Sequence, residues 1–219
     1  MFPTRFACVP RALAALSLLL LMTGFASAIS IEKGTETFTG KIDELSFPRS
    51  MTVRDGSYEW ELSATGSGLR TKFRFKVYEA VLYVAPSSLP PAAAAEIARP
   101  AVAKRIEMHF RRGVDADKMT GAFRDGFEKV LGEEGMEPFE SGIEQFLSFF
   151  DAKIEKEETI VLTWLPGGKL ITEVRGVTKP VMTDAKLSEA LFLIWLGDDP
   201  VSGDLRRDLL RLVSAEPSG

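Results

Sequence analysis

The first part of the chain alternates apolar and polar residues with a period of two, which is typical of β-strands. The segment from Tyr58 to Leu62 alternates in this way and follows Asp55-Gly56, a strong turn dipeptide. From Lys72 to Lys76 the basic residues alternate with apolar ones, which predicts a strand with one apolar and one basic face. We therefore expect residues 29–84 to form mostly strands.

The middle of the chain changes from this period to a helical one. Residues 86–100 are rich in Pro, Ala and Ser, which predicts a connector with at most one helical turn at 92–95, and residues 104–110 predict another strand. The apolar positions Met119, Phe123, Phe127 and Val130 then have helical spacing, behind Asp115 or Asp117 as candidate N-caps. A second amphipathic helix is predicted from the spacing of apolar residues at 143–154.

The last third of the chain predicts a hairpin followed by two helices. Residues 159–165 and 169–174 form the strands around the turn Pro166-Gly167-Gly168. Residues 187–196 are apolar almost all round, which indicates a helix packed on several sides, and residues 205–213 suggest a final amphipathic helix. Strands and helices in separate runs predict an α+β fold, with an antiparallel sheet covered by helices on one face.

Residues 1–28 have the pattern of a secretory signal peptide. Arg5 and Arg11 form a positive region, residues 12–25 are nearly all apolar, and Ala26-Ser27-Ala28 matches a cleavage site. The alternative, an uncleaved N-terminal anchor, is less favoured because the run is short for a membrane span. We therefore expect residues 29–219 to form one domain outside the inner membrane of a bacterium, in the periplasm.

Composition excludes several functional classes. The chain has 219 residues with one Cys and one His, so a disulfide framework is impossible and a zinc site of Cys and His is close to impossible. The net charge of -4 argues against a nucleic-acid binder and against electrostatic docking on acidic lipid. No metal, cofactor or nucleic-acid partner is expected, and the oligomeric state stays open.

The usual catalytic patterns are mostly absent. His109 lies in a predicted strand with no partnered nucleophile nearby, so a structural role is favoured. Gly66-Ser67-Gly68 lacks the third glycine of a dinucleotide-binding loop and precedes a strand rather than a helix. We interpret it as a glycine bend between strands, and the acidic pairs Glu133-Glu134 and Glu157-Glu158 as solvated ends of elements.

Arg70 and Tyr78 are the residues that remain as a candidate site. An Arg fork beside a phenol, at the mouth of an apolar cavity, suits a carboxylate with an apolar tail. In a straight strand the two residues would stand roughly 26 Å apart, so the chain would have to bend or form a hairpin between them.

Several segments together resemble the chalcone isomerase-like family, in its secreted bacterial branch. They are residues 66–70, 75–78 running to Leu82-Tyr83, 114–118, 163–167, and 189–191 through 194–198. The resemblance implies an open-faced β-sandwich, in which a large antiparallel sheet carries a layer of helices above a ligand cleft. It also implies one of two functions, flavanone ring closure by an isomerase or fatty-acid binding without catalysis.

Residue by residue, the resemblance favours binding over isomerisation. The isomerases' Arg is kept as Arg70, and Tyr78 stands at the strand Thr position, as in the fatty-acid-binding relatives. The isomerases' Tyr, Asn and late-helix Thr fall at Asp115, Ala122 and Ile194. Ala and Ile cannot hydrogen-bond a flavonoid, and a carboxylate at position 115 would repel a phenolate.

Three functions follow from these observations. The leading one is a non-catalytic binder of a fatty acid or similar amphipathic carboxylate, held by Arg70 and Tyr78. The second is an isomerase, an intramolecular lyase on an unidentified substrate, with Arg70 as electrophile and Tyr78 as acid or base. The third is an interaction module of the cell envelope, using Trp164, Trp195 or the acidic face, in which Arg70 only pins the sheet to the helices.

Overall fold

The computed structural model describes residues 29–42, 45–85, 97 and 101–211. Their strands are β1 (Ser30–Lys33), β2 (Thr37–Thr39), β3 (Ser46–Pro48), β4 (Ser50–Asp55), β5 (Tyr58–Lys72), β6 (Phe75–Val84), β7 (Lys104–Phe110), β8 (Thr159–Leu165), β9 (Lys169–Val174), β10 (Val177–Thr178) and β11 (Met182–Thr183). Their helices are α1 (Ala116–Leu131), α2 (Glu133–Met136), α3 (Glu140–Leu147), α4 (Ala185–Leu196) and α5 (Gly203–Leu209). A single 3₁₀ turn, Glu137–Phe139, joins α2 to α3.

Nine of the described strands form one antiparallel sheet. Its order is β1-β4-β5-β6-β7-β8-β9-β10, and β11 also pairs with β9. Strands β2 and β3 form a separate two-stranded ribbon. The predicted α+β fold, a large antiparallel sheet with a helical layer, is confirmed.

The two faces of the sheet bury different sets of residues. On β6, Tyr78, Ala80 and Leu82 belong to the core beneath the helices. Val81 and Tyr83, which point to the opposite face, join a second, smaller core with Phe47 of β3. Since both faces of β6 are covered, its side chains from Tyr78 to Val84 are all buried.

The glycines predicted to form a bend lie instead inside the long strand β5. A Cβ atom on Gly66 would come within 2.1 Å of the Asp208 carbonyl oxygen, and one on Gly68 within 2.9 Å of the Leu205 side chain. The buried Thr65 hydroxyl adds a hydrogen bond of 2.8 Å to the carbonyl of Leu209. The glycines therefore allow α5 to lie directly on the strand.

The second predicted amphipathic helix ends earlier than its apolar spacing indicates. Helix α3 stops at Leu147. The amides of Phe149 and Phe150 bond only three residues back, to the carbonyls of Phe146 and Leu147. Ile154 instead forms an isolated antiparallel bridge with Val114. An apolar residue at helical spacing can be buried by either arrangement, so spacing alone did not locate the helix end.

Other local predictions have mixed outcomes. The strands at 104–110, 159–165 and 169–174 have the predicted bounds. Asp115 is the N-cap residue of α1, but its side chain makes no capping hydrogen bond and binds Lys118 instead. The predicted signal peptide, most of the predicted 86–100 connector and residues 212–213 of the predicted last helix lie outside the described residues.

Candidate functional site

The hairpin of β5 and β6 brings Arg70 and Tyr78 together. The strands are joined by a two-residue turn, Phe73-Arg74, and Arg70 lies directly opposite Tyr78 in the antiparallel register. Directly opposed residues have side chains on the same face with Cβ atoms about 5 Å apart. The hairpin required to join the two residues is thus present, with a register shift between Arg70 and Thr71.

Arg70 and Tyr78 line a cavity of about 590 Å³ between the sheet and the helical layer. Its walls are mainly apolar. They come from β6 and β7, from α1 and from α4, and include Val77, Met108, Phe110, Met119, Phe123 and Ile194. The basic residues Arg70, Lys72, Arg112 and Lys118 also line the cavity, so it combines apolar walls with positive charge.

The Tyr78 side chain is held in place by the core. It is 9% exposed, and its ring packs against Phe110 with centroids 5.5 Å apart. The indole Nε1 of Trp195 donates a hydrogen bond of 2.9 Å to the Tyr78 hydroxyl. Burial raises the pKa of Tyr78 to about 12, against smaller lowering effects from Trp195 and from the Arg70 charge. The phenol is therefore neutral at pH 7, and its own proton is available to donate.

Arg70 is half-buried beside this phenol. One guanidinium nitrogen, Nη1, donates to the carbonyl of Thr71 at 2.7 Å. None of the ion pairs described for residues 29–42, 45–85, 97 and 101–211 involves Arg70. A guanidinium has five N–H donors, so several remain to bind a carboxylate.

The positions aligned with the isomerases' polar residues divide into two groups. Ala122 and Ile194 line the cavity, where they offer no hydrogen bond to a ligand. Asp115 is exposed, and its carboxylate lies 2.8 Å from the Lys118 ammonium. The Lys118 hydrogen bond is the main reason that the pKa of Asp115 is lowered. Asp115 does not line the cavity, so the repulsion of a phenolate predicted from its carboxylate is not supported, and the case against ring closure depends on Ala122 and Ile194.

The remaining candidates lie away from the cavity. His109 lies beneath the β2–β3 ribbon on the other face of the sheet, with its ring centroid 5.0 Å from that of Phe47. Its Nε2 is 3.6 Å from a carboxylate oxygen of Glu107. Glu133, Glu134 and Glu157 are exposed, and Glu158 is half-buried with its carboxylate bonded to the Glu155 amide. These residues do not join Arg70 and Tyr78.

Trp164 and Trp195 are both core residues, contrary to the surface role expected for an interaction module. Trp164 is fully buried against Phe192, with ring centroids 5.6 Å apart, and Trp195 is 3% exposed. Large aromatic side chains contribute most to stability when their area is removed from water. Neither indole is therefore available to a protein partner.

The described residues contain neither a cluster of metal-ligating side chains nor a membrane-spanning helix. No group of three or more His, Cys, Asp or Glu side chains there is placed to hold a metal ion. Among the helices of the described residues, none has the length and apolarity needed to cross a membrane.

Comparison with known proteins identifies the family. Residues 39–211 match the chalcone isomerase-like family. The chain belongs to the chalcone isomerase-like family. Its fold is also similar to the crystal structure of a fatty-acid binding protein of Arabidopsis thaliana, with a TM-score of 0.66 and 19% sequence identity. The match covers 82% of this chain and 98% of the plant protein. No curated protein sequence matches this chain significantly.

Sequence reasoning missed two features of this chalcone isomerase-like site. It did not find Trp195 as the donor to Tyr78, because 117 residues separate the two in the chain. It also placed Phe73 and Phe75 on the buried face of a strand, whereas they lie at the hairpin turn and are 82% and 61% exposed. Phe73 and Arg74 have positive φ angles, which are usually marked in a sequence by Gly, Asn or Asp. Because neither residue is of these types, no local signal predicted the turn.

Proposed function

We propose that this chalcone isomerase-like protein binds a fatty acid, or a similar amphipathic carboxylate, without catalysing a reaction. The observation that carries the proposal is the pairing of Arg70 with Tyr78 on the wall of an apolar cavity. The guanidinium would bind the carboxylate and the neutral Tyr78 phenol would donate to it. The cavity volume of about 590 Å³ lies within the range of roughly 300–1,000 Å³ common for small-molecule sites.

Burial and charge support this assignment. A carboxylate head group beside Arg70 would pair with the positive guanidinium. An acyl tail would displace water from the apolar wall formed by Met108, Phe110 and Phe123. Removing apolar surface from water contributes about 25 cal/mol per Å², so the tail would supply most of the affinity. The head-group pair would set the orientation.

Ring closure by an isomerase is less well supported by the same walls. An isomerase must orient a polar substrate and stabilise the charge that develops in its transition state. Ala122 and Ile194 have no polar group for this purpose, and the raised pKa of Tyr78 makes the phenol a poor base near neutral pH. Isomerase activity is therefore the alternative that the experiments below can detect.

The first experiment identifies what the protein carries. The protein is purified from its host, extracted with organic solvent, and the extract analysed by mass spectrometry. We expect a stoichiometric fatty acid in the wild type and its loss in Arg70→Ala. Arg54→Ala is the matched control, because Arg54 pairs with Glu32 and Glu59 on the outside of β4 and does not line the cavity.

Binding of added palmitate by calorimetry then measures the head-group contribution. Losing a charged hydrogen bond should reduce affinity by about 10- to 100-fold in Arg70→Ala, and Arg54→Ala should bind as the wild type. Equal affinity in both variants would refute the site. Turnover of an α,β-unsaturated aryl ketone by the wild type, lost in Arg70→Ala, would replace binding by isomerisation.

We also propose that the protein acts in the periplasm, after removal of residues 1–28. The proposal is supported by the signal-like pattern of Arg5, residues 12–25 and Ala26-Ser27-Ala28. Cell fractionation followed by intact-mass measurement tests it. A chain that starts at Ile29 in the periplasmic fraction would support the proposal, and a cytoplasmic chain that keeps Met1 would refute it.

A further inference from the structure

The turn of the β5–β6 hairpin exposes two phenylalanines to solvent. Phe73 is 82% exposed and Phe75 is 61% exposed, and both belong to the short set of large hydrophobic residues exposed in the described structure. They are flanked in sequence by Lys72, Arg74 and Lys76, all exposed. We call these five residues, 72–76, the hairpin tip.

The backbone of the hairpin tip does not suit the residues that occupy it. Phe73 has a φ of 55° and Arg74 a φ of 91°. Positive φ at both positions of a two-residue hairpin loop is the pattern of a type I′ turn, for which Asn-Gly is the preferred sequence. Bulky residues are strained in this region. Folding stability therefore does not explain why Phe and Arg stand here.

The charge around the hairpin tip is opposite to that of the whole chain. The chain carries a net charge of -4, yet Lys72, Arg74 and Lys76 are joined by Arg112, whose Cζ lies 4.7 Å from the centre of the Phe75 ring. Among the described residues that line the adjacent cavity, Asp125 is the acidic one. Since charges are screened beyond about 10 Å in ordinary salt, the local charge decides what binds at the tip.

Exposed aromatic rings set among basic side chains match the surface of an anionic bilayer. Phenylalanine partitions to the boundary between headgroups and acyl chains, and Lys and Arg bind the anionic headgroups. A stable protein interface buries about 800 Å² on each partner, which two side chains on a projecting turn do not supply. A bilayer accepts a small inserted tip without such a requirement.

The hairpin tip is continuous with the cavity. Lys72, Phe73 and Phe75 belong to both, so a bilayer in contact with the tip would also face the cavity mouth. We propose that the hairpin tip docks the protein on an anionic lipid bilayer, with Phe73 and Phe75 inserted at headgroup level. Docking itself does not depend on the proposed function, but the transfer of an acyl ligand between bilayer and cavity rests on it.

The test is flotation with vesicles that contain no free fatty acid. The vesicles are phosphatidylglycerol mixed equally with phosphatidylcholine, compared with phosphatidylcholine alone. The protein is used in the form that the cell accumulates, with its N-terminus determined by mass, because residues 12–25 would bind lipid if retained. We expect binding to the anionic vesicles that falls on addition of salt.

The first variant is Phe73→Asn/Arg74→Gly, which places the preferred type I′ sequence in the turn. It should unfold at a higher temperature than the wild type, while its partition onto anionic vesicles falls about tenfold or more, because the inserted Phe73 ring and the Arg74 charge are both lost. The control is Val177→Asn, which removes an apolar residue that is 59% exposed in β10, away from the cavity lining.

The second variant tests charge. Lys72→Gln/Lys76→Gln should lower the partition about 25-fold, since each of the two basic residues near an anionic surface contributes about fivefold. Lys156→Gln/Lys186→Gln, which removes two exposed lysines elsewhere, should bind the vesicles as the wild type does.

Each outcome decides the proposal. Wild-type protein that prefers anionic vesicles, with losses confined to the two tip variants, would support docking. Equal partition onto both kinds of vesicle, or tip variants that bind like their controls, would overturn it. A protein partner that depends on the tip, with no vesicle binding, would replace the bilayer by a protein. Failure of palmitate binding leaves the docking result intact, so the two proposals can fail separately.

Discussion

Trp195 Nε1 donates a hydrogen bond of 2.9 Å to the hydroxyl of Tyr78, across the core between helix α4 and strand β6. The bond occupies a lone pair of the phenol oxygen and leaves its proton for a ligand. It also lowers the pKa of Tyr78 against the larger raising effect of burial.

Trp195→Phe should therefore weaken both the fold and the site. The Tyr78 oxygen would lose its buried donor, which costs about 1–3 kcal/mol of unfolding free energy, and the pKa of Tyr78 would rise further. We expect a lower denaturant midpoint and weaker palmitate binding, measured by urea unfolding and calorimetry. In a double-mutant cycle with Tyr78→Phe the two losses should not add, whereas full additivity would contradict a coupled pair.

Filling the cavity from helix α1 should change which ligands bind. Gly121 lines the cavity, and a Cβ atom built on it has no neighbour within 4 Å. Gly121→Leu should reduce affinity for long acyl chains more than for short ones, measured by calorimetry with palmitate and octanoate.

Gly121→Ala is the control for the change in helix propensity. Both substitutions should stabilise the helix by up to about 1 kcal/mol, because glycine is unfavourable in a helix interior. Only the leucine variant should alter chain-length preference. The same preference in all three proteins would show that the cavity does not hold the tail.

The charged cluster on the other face of the sheet should make stability depend on acid pH. Burial alone would raise the pKa of Glu107, but the nearby His109 and the Arg105 guanidinium, whose Nε is 2.8 Å from the carboxylate, hold it at about 2. Between the ordinary glutamate pKa of 4.5 and about pH 2, the folded state therefore binds fewer protons than the unfolded one. The stability contributed by Glu107 is present above about pH 4.5 and is lost as the pH falls towards 2.

Glu107→Gln should therefore lower the unfolding free energy by about 2 kcal/mol or more at pH 7, since it leaves a buried guanidinium partly unpaired. The difference from wild type should shrink between pH 4.5 and 2 in urea titrations. Glu59→Gln breaks an exposed pair with Arg54 and should cost less than about 1 kcal/mol. A difference in unfolding free energy between Glu107→Gln and the wild type that stays constant with pH would contradict the lowered pKa of Glu107.

The close contact of α5 with β5 predicts a strong effect of one methyl group. Gly66→Ala would place Cβ 2.1 Å from the Asp208 carbonyl oxygen, so strand and helix must separate. We expect a loss of about 2–4 kcal/mol in the unfolding free energy. Gly203→Ala, where a Cβ meets nothing within 4 Å, should leave thermal and urea unfolding unchanged or slightly improved.

Local patterns predicted an element well where the element packs in space against segments that are also next to it in the sequence. The hairpin of β8 and β9 has the predicted bounds, because the period of two and the turn at Pro166-Gly167-Gly168 both act over a few residues. Helix α1 follows from its apolar spacing in the same way. The end of α3 did not follow, because the bridge between Ile154 and Val114 competes with the helix from another part of the chain.

The sequence by itself determined the α+β class, the bounds of the strands β7 to β9, and Arg70 and Tyr78 as the candidate pair. Those features depend on residue types and short-range periodicity, which are present in any conformation of the chain. Only the tertiary structure decided that the hairpin places Arg70 opposite Tyr78, that Trp195 donates to the phenol, and that Phe73 and Phe75 face solvent. These depend on strand register and on packing between segments distant in the chain, and a one-residue change of register would turn every side chain to the other face.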